Sequence, residues 1–255
     1  MGEAILRGVL RSGNLQPSQV FASDARADVA ASLGTQHGIR TSTDNLVVAQ
    51  ACDAALVCVK PYQMGPVLDN DAMRTALVGK PVMSIAAGVR LEKLCSFLPS
   101  SAVIRVMPNV AALIGEGIAG IARSKAATDA HVALALGLFN SVGKAVEVDE
   151  SKMDIVTALA GSGPAFVFVM IDALADGAVK LGLPRDLAVS IASQMVQGAA
   201  RMVAQTGTHP AVLKDQVTTP GGCTIAGLFV MEEGKIRSVL AKTVEETARA
   251  AGKLG

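Results

Sequence analysis

Along the first half of the chain, short apolar runs alternate with stretches of helical period. Six runs read as strands: Gln19–Ser23, Ala54–Val59, Pro81–Ala86, Ala102–Met107, Ile118–Arg123 and Ala145–Val148. They are rich in Val, Ile and Ala and alternate little between apolar and polar positions. Such runs suit strands of a parallel sheet covered on both faces. Between them, Glu3–Ser12, Ala25–Gly34 and Thr128–Ser141 repeat their apolar positions as helices do. Strand and helix in alternation imply a doubly wound α/β sheet.

The pattern changes near Asp149. From Lys152 onward no segment reads as a strand. Helices are expected over Lys152–Ala160, Pro164–Leu181, Asp186–Gln205, Pro210–Val217, Thr224–Glu232 and Ile236–Lys253. The last carries Ile236, Val239, Leu240, Thr243, Val244, Ala248 and Ala251 on one face. Gly182 followed by Pro184 marks a stop and a restart. The expected division is an α/β domain over residues 1–149 and an all-helical domain over residues 150–255. Ile155 to Ile171 is apolar enough to suggest a membrane span. Gly161, Gly163 and Pro164 interrupt it, however, and Asp172 and Asp176 follow. It reads as two buried helices meeting at a Gly-Pro joint, with no membrane partner.

A doubly wound nucleotide-binding domain opens with a strand and a G-x-G-x-x-G turn. Its glycines make the turn, let the backbone reach a pyrophosphate, and let the helix pack on the strand. This chain opens Met1-Gly2-Glu3-Ala4-Ile5-Leu6, which reads as the tail of that motif with Gly2 as the third glycine. An ordinary N-terminal helix would look the same. A second strand ends at Ser23-Asp24, about twenty residues on, where the residue that reads the ribose belongs. The expectation is a Rossmann-like domain lacking its first strand and first two glycines. The natural start would lie about ten residues earlier, and the chain as it stands would hold a dinucleotide poorly.

Charge and composition narrow the partners. The formal net charge is +1 and no basic block occurs, which disfavours nucleic acid. Apolar residues at 51% and charged residues at 18% make a globular composition. The four cysteines, Cys52, Cys58, Cys95 and Cys223, form no C-x-x-C pair, and His37, His131 and His209 stand far apart. No metal site is expected. Free thiols without a signal-peptide pattern suit a reducing cytosol, so a cytoplasmic location is expected.

The most informative stretch is Asp215-Gln216-Val217-Thr218-Thr219-Pro220-Gly221-Gly222-Cys223-Thr224-Ile225. Pro220, Gly221 and Gly222 make a tight turn, and a helix starts near Thr224. Unpaired N–H groups at a helix start favour an anion such as a carboxylate; a plain loop-to-helix cap would use the same residues. Gly161-Ser162-Gly163-Pro164 is a second tight turn, placed against a substrate ring or serving as a helix corner. It lacks the spacing of a nucleophile elbow, which sets a hydrolase aside. Lys60, after Val57-Cys58-Val59, stands at a strand end where doubly wound domains bind cofactors. Asn109, in Arg105-Val106-Met107-Pro108-Asn109, stands at another such end. It either hydrogen-bonds the nicotinamide side of the site or closes a turn.

These motifs, in order, resemble those of pyrroline-5-carboxylate reductases. The resemblance rests on Val57-Cys58-Val59-Lys60-Pro61, Ser84-Ile85-Ala86-Ala87-Gly88-Val89, Val106-Met107-Pro108-Asn109, Ala160-Gly161-Ser162-Gly163-Pro164-Ala165, Asp172-Ala173-Leu174-Ala175-Asp176-Gly177 and Val217-Thr218-Thr219-Pro220-Gly221-Gly222-Cys223-Thr224. It implies reduction of 1-pyrroline-5-carboxylate to L-proline with NADPH, or with NADH. It implies cofactor contacts at Ser23, Asn45, Cys58, Val59, Lys60, Pro61, Ile85, Ala86 and Ala87, beside Gly2 and Asn109 from the spacing. Substrate contacts are implied from Gln216 through Thr224; within that stretch the backbone N–H groups of Gly221, Gly222 and Cys223 are the candidates for the substrate carboxylate, and Thr224 is the candidate catalytic hydroxyl near the ring nitrogen. It also implies homodimers through the helical domain, gathered into larger rings such as a decamer of five dimers. Gln216 and Cys223 sit where related sequences vary.

Two other readings stay open at this point. A reductase of another cyclic imine or of a hydroxy acid, on a related two-domain plan, is one; the hydroxy-acid dehydrogenases of that plan use a lysine of the helical domain, and Lys180 and Lys214 are available. A catalytically impaired fragment could persist as an oligomeric scaffold.

Overall fold

The structure is a computed structural model and describes residues 1–253. The chain separates into two units. One comprises Met1–Ser162 together with residues from Glu246 onward, and the other is Gly163–Glu245.

The first unit opens with α1 (Gly2–Ser12), then β1 (Phe21–Ser23), α2 (Ala27–His37), β2 (Arg40–Ser42), α3 (Asn45–Ala51) and β3 (Ala55–Val57). Two short helices, α4 (Met64–Leu68) and α5 (Asp71–Ala76), precede β4 (Pro81–Ser84), α6 (Leu91–Phe97) and β5 (Ala102–Met107). Then come β6 (Gly117–Arg123), α7 (Asp129–Asn140), β7 (Gly143–Glu147) and α8 (Met153–Val156), which runs into a π-turn at Thr157–Gly161. β1 and β2 pair in parallel as a two-stranded sheet, and β3-β4-β5-β6-β7 form a five-stranded one. Among the described residues, no strand joins the two pieces.

The continuous apolar runs have the meaning expected of them. Val82 and Val103 pack into one buried cluster with Leu68, Leu94 and Phe97. Their neighbours Met83 and Ile104 point the other way, into a cluster with Ile5, Val9 and Phe139. Successive strand residues face opposite sides, so a sheet covered on both faces needs apolar residues at every position. In β5 the exception is Arg105, 3% exposed. Its guanidinium meets Glu150 Oε1 at 2.8 Å, and that oxygen also accepts the Leu91 N–H that opens α6. Asp154 lies 3.8 Å from the same guanidinium, so two half-exposed carboxylates balance this buried charge.

Three sequence expectations need correction. The sheet is not wholly parallel: β6 runs antiparallel to β5. The link between them holds only a 3₁₀ turn at Val110–Ile114, too short for the crossover a parallel return needs. The expected strand Gln19–Ser23 begins later, because Pro17–Gln19 forms a 3₁₀ turn. β2 was not foreseen. It has three residues, Arg40-Thr41-Ser42, and no apolar signal.

The second unit is helical: α9 (Gly163–Lys180), α10 (Arg185–Thr206), α11 (Pro210–Gln216), α12 (Cys223–Glu233) and most of α13 (Ile236–Ala251). The helices around the Gly-Pro joint were expected to be buried, yet Leu159, Phe168 and Val169 are 61–69% exposed in the single chain. Glu150–Lys180 is a continuous helical run of 31 residues, long and apolar enough to cross a membrane by length and composition alone. Exposed apolar side chains recur on α10 at Ile191, Met195 and Met202.

Candidate active site

Parallel register places the carboxyl ends of three strands side by side: Val57 of β3 stands opposite Ser84 of β4, and Ser84 opposite Arg105 of β5. Ligands of doubly wound sheets bind beyond such an edge. Cys58, Val59, Lys60 and Pro61 follow β3 there, while Ile85, Ala86 and Ala87 follow β4. The loops are braced from within. The Ile85 N–H donates to the Val57 carbonyl at 3.2 Å, and the buried Ser84 hydroxyl accepts the Ala86 N–H at 3.3 Å. Gln63 Oε1 accepts the Lys60 N–H at 3.0 Å, and the Gln63 N–H returns to the Lys60 carbonyl at 2.9 Å. Lys60 and Ala87 are exposed. Gln63 was not singled out in the sequence, and Ser84 stood only at the head of a motif with no role assigned to it, although its place at the end of an apolar run was the available signal.

Gly2 begins α1, and no side chain caps that helix end. A Cβ on Gly2 would stand 3.0 Å from both Cβ and Sγ of Cys58. Glycine lets the helix start approach the end of β3 without displacing the Cys58 side chain. The Cys58 residue is exposed overall, yet its thiol is crowded by this approach. Burial pushes the thiol up to about 11, with the N-terminal ammonium pulling weakly the other way.

The other expected cofactor residues meet at the smaller sheet. Ser23 ends β1, and its hydroxyl donates to Asn45 Oδ1 at 2.7 Å. Asp44 caps α3 by accepting the Leu46 N–H at 2.8 Å, which fixes Asn45 as the first helical residue. The Asp24 carboxylate accepts the Arg26 N–H at 2.9 Å and so closes the turn into α2. The residues present fit a dinucleotide: an uncapped helix start with a close glycine, braced loops beyond adjacent strand ends, and a polar corner without a committed carboxylate. Asn109, after β5, is 8% exposed, and its amide is engaged at both ends, to the Ala160 carbonyl and the Ile118 N–H.

In the helical unit, Thr219-Pro220-Gly221-Gly222 forms a β-turn. The Gly222 N–H donates to the Thr219 carbonyl at 3.1 Å, and Gly221 has φ +67°. Proline second and a positive-φ glycine third are what such a turn requires. A Cβ on Gly222 would land on the Thr219 hydroxyl. Gly222 is the N-cap of α12, and no side chain caps the helix, so its leading N–H groups have no side-chain acceptor of that kind. Thr224 is the second residue of the helix and half-buried, while Gly221 and Cys223 are exposed. Gln216, also exposed, ends α11. Of the two lysines, Lys214 reaches its neighbour Asp215 at 2.5 Å and Lys180 is an exposed residue closing α9.

Residues 150–254 match the family model of the pyrroline-5-carboxylate reductase dimerisation domain. Residues 1–88 match that of the coenzyme F420-dependent NADP oxidoreductases. Pyrroline-5-carboxylate reductases from Methanosarcina acetivorans and Arabidopsis thaliana are 43% and 42% identical, covering 100% and 98% of this chain and 94% and 90% of the relatives. The chain belongs to the pyrroline-5-carboxylate reductase family. It is an NAD(P)H-dependent oxidoreductase that reduces 1-pyrroline-5-carboxylate to L-proline. The solved structure of the Coxiella burnetii reductase superposes with a TM-score of 0.95 at 28% identity, covering 100% of this chain and 94% of the other. The Plasmodium falciparum enzyme, solved with NADP bound, gives 0.87 at 28% identity, covering 100% and 94%. These matches favour the reductase over the hydroxy-acid dehydrogenase, and they do not bear out the expected loss of a first strand.

Proposed function

We propose that the reductase divides its work near residue 150, with the cofactor held by residues 1–149 and the substrate by residues 150–255. On this reading Gly2, Cys58, Val59, Lys60 and Pro61 hold the dinucleotide beside β3. Ile85, Ala86 and Ala87 hold it beside β4, Asn109 serves it at the end of β5, and Ser23 and Asn45 hold its ribose. When bound, the cofactor supplies the hydride. The chain's part is to fix geometry, exclude water and hold the substrate. The N–H groups of Gly221 and Cys223 hold the carboxylate, while Gly222 shapes the turn with its own N–H engaged by the Thr219 carbonyl; Gln216 borders the ring, and the Thr224 hydroxyl hydrogen-bonds the ring nitrogen. An imine accepts hydride best when protonated, and hydride then adds to its carbon; with the chain's work being geometry, water exclusion and holding the carboxylate, this reading calls on no His/Asp dyad.

The observation that carries this reading is the Thr219–Gly222 turn leading into an α12 with no side-chain cap, an anion-binding arrangement built from backbone. NADPH is preferred over NADH, because β1 ends in Ser23 and the Asp24 carboxylate is occupied by the Arg26 N–H. The chain acts in the cytoplasm as a homodimer, with five dimers gathering into a decamer. The dimer covers the apolar face of Phe168, Val169, Leu174, Ile191, Met195 and Met202 and buries well over ~2,000 Å² in total.

The test is Thr224→Ala. Loss of a hydrogen bond to a charged group is worth roughly 1.5–3 kcal/mol, or about ten- to a hundredfold in turnover. The unfolding temperature should stay unchanged. Unaltered steady-state kinetics would remove Thr224 from the mechanism.

A further inference from the structure

Asn109 has an environment that direct cofactor binding does not require. It follows β5 and is 8% exposed. Its amide nitrogen donates to the Ala160 carbonyl at 3.1 Å, and its amide oxygen accepts the Ile118 N–H at 3.2 Å. A carbonyl only accepts and a backbone N–H only donates, so these partners fix which way the amide points.

Ala160 belongs to the π-turn Thr157–Gly161. That turn closes with the Ser162 N–H on the Thr157 carbonyl at 2.9 Å. Its start is tied down by the buried Thr157 hydroxyl, which donates to the Met153 carbonyl at 2.8 Å. Its end is held by Asn109. Single π-turns within helices are uncommon and concentrate at functional sites. Gly161, the next residue, lies against the last residue of β5: a Cβ there would stand 2.5 Å from Met107 Cε. The turn therefore ends on the carboxyl edge of the sheet, in contact with the end of the Met107 side chain.

We infer that Asn109 is a positioning residue. It clamps the Ala160–Gly161 backbone onto the end of β5, and this backbone forms a wall of the nicotinamide pocket. The inference rests on the proposal that this edge holds the dinucleotide. Asn109 acts through Ala160, so its loss should impair alignment for hydride transfer more than cofactor affinity.

The experiment compares the full-length enzyme with Asn109→Asp and Asn109→Ala. A carboxylate at this position opposes the Ala160 carbonyl with another acceptor. A protonated carboxyl restores one donor and one acceptor in nearly the same places. Near pH 8, both variants should lose about tenfold or more in kcat, while NADPH affinity, read by fluorescence titration, changes by less than about threefold. As pH falls toward about 5.5, Asn109→Asp should regain turnover relative to the unaltered enzyme, whereas Asn109→Ala should not. Without cofactor, amide exchange across residues 157–162 should be faster in Asn109→Ala. Parallel pH profiles for the two variants, unchanged exchange, or NADPH affinity falling in step with kcat would each overturn the inference. If the unaltered chain binds no NADPH, the cofactor reading fails separately, and the exchange result alone judges the clamp.

Discussion

The Ser23 hydroxyl donates to the Asn45 side-chain oxygen at 2.7 Å, joining the end of β1 to the start of α3 in one polar corner. Neither residue is charged, and the carboxylates beside them in sequence, Asp24 and Asp44, accept the Arg26 and Leu46 N–H groups. Cofactor choice should therefore turn on Ser23. Ser23→Asp places a carboxylate where a ribose hydroxyl would be held and an extra phosphate repelled. NADPH affinity should fall about tenfold or more, with NADH affinity kept or improved, since an uncompensated charge pair is worth a factor of that order. Competitive titration of the two cofactors checks this. An NADPH preference undiminished by Ser23→Asp would show that the ribose is read elsewhere.

Gly222 and Thr219 are packed so closely that a Cβ on the former would land on the hydroxyl of the latter. Gly222→Ala should raise KM for pyrroline-5-carboxylate about tenfold or more by disturbing backbone N–H groups aimed at the carboxylate. The turn is largely exposed, so global stability should shift by less than about 1 kcal/mol. Adding Thr219→Ala should recover part of the loss, because the obstructing oxygen is removed. Steady-state kinetics on the single and double variants decide it. A Gly222→Ala enzyme with normal KM would mean that the turn does not touch substrate.

Cys58 is proposed to face the cofactor, yet its thiol should be a poor nucleophile. Burial raises it from an ordinary 9.0 to about 11. An acid with a raised value stays protonated longer in the folded chain, and the thiolate is the reactive form. At about pH 8, alkylation should therefore reach the exposed Cys223 well before Cys58, and Cys58 labelling should climb only as pH approaches its shifted value. Mass spectrometry of iodoacetamide-treated enzyme gives the order. Cys58 labelling first would contradict the crowding at Gly2.

The legible parts of the sequence were those with a local physical signature. Val82–Met83 and Val103–Ile104 read as covered on both faces, and the two clusters take alternate residues from them. The turn at Thr219–Gly222 was legible because proline and positive-φ glycine each leave a mark. The reversal of β6 was harder to see, since strand direction depends on the length of the link rather than on strand composition. β2 gave no signal because Arg40, Thr41 and Ser42 carry no apolar pattern. The exposed face of Phe168 and Val169 was read as buried, because hydropathy does not say whether one chain or two will cover it. Asn109 was placed at the correct strand end, but its tie to Ala160 joins distant parts of the sequence and has no local trace.

The central claim is the reaction itself. The direct measurement is the stoichiometry of purified enzyme with 1-pyrroline-5-carboxylate and NADPH, following cofactor absorbance and proline together. One proline should form for each NADPH oxidised, at a turnover within the ordinary range of roughly 1–10³ s⁻¹. NADPH consumption without proline, or no substrate-dependent consumption at all, would contradict the account.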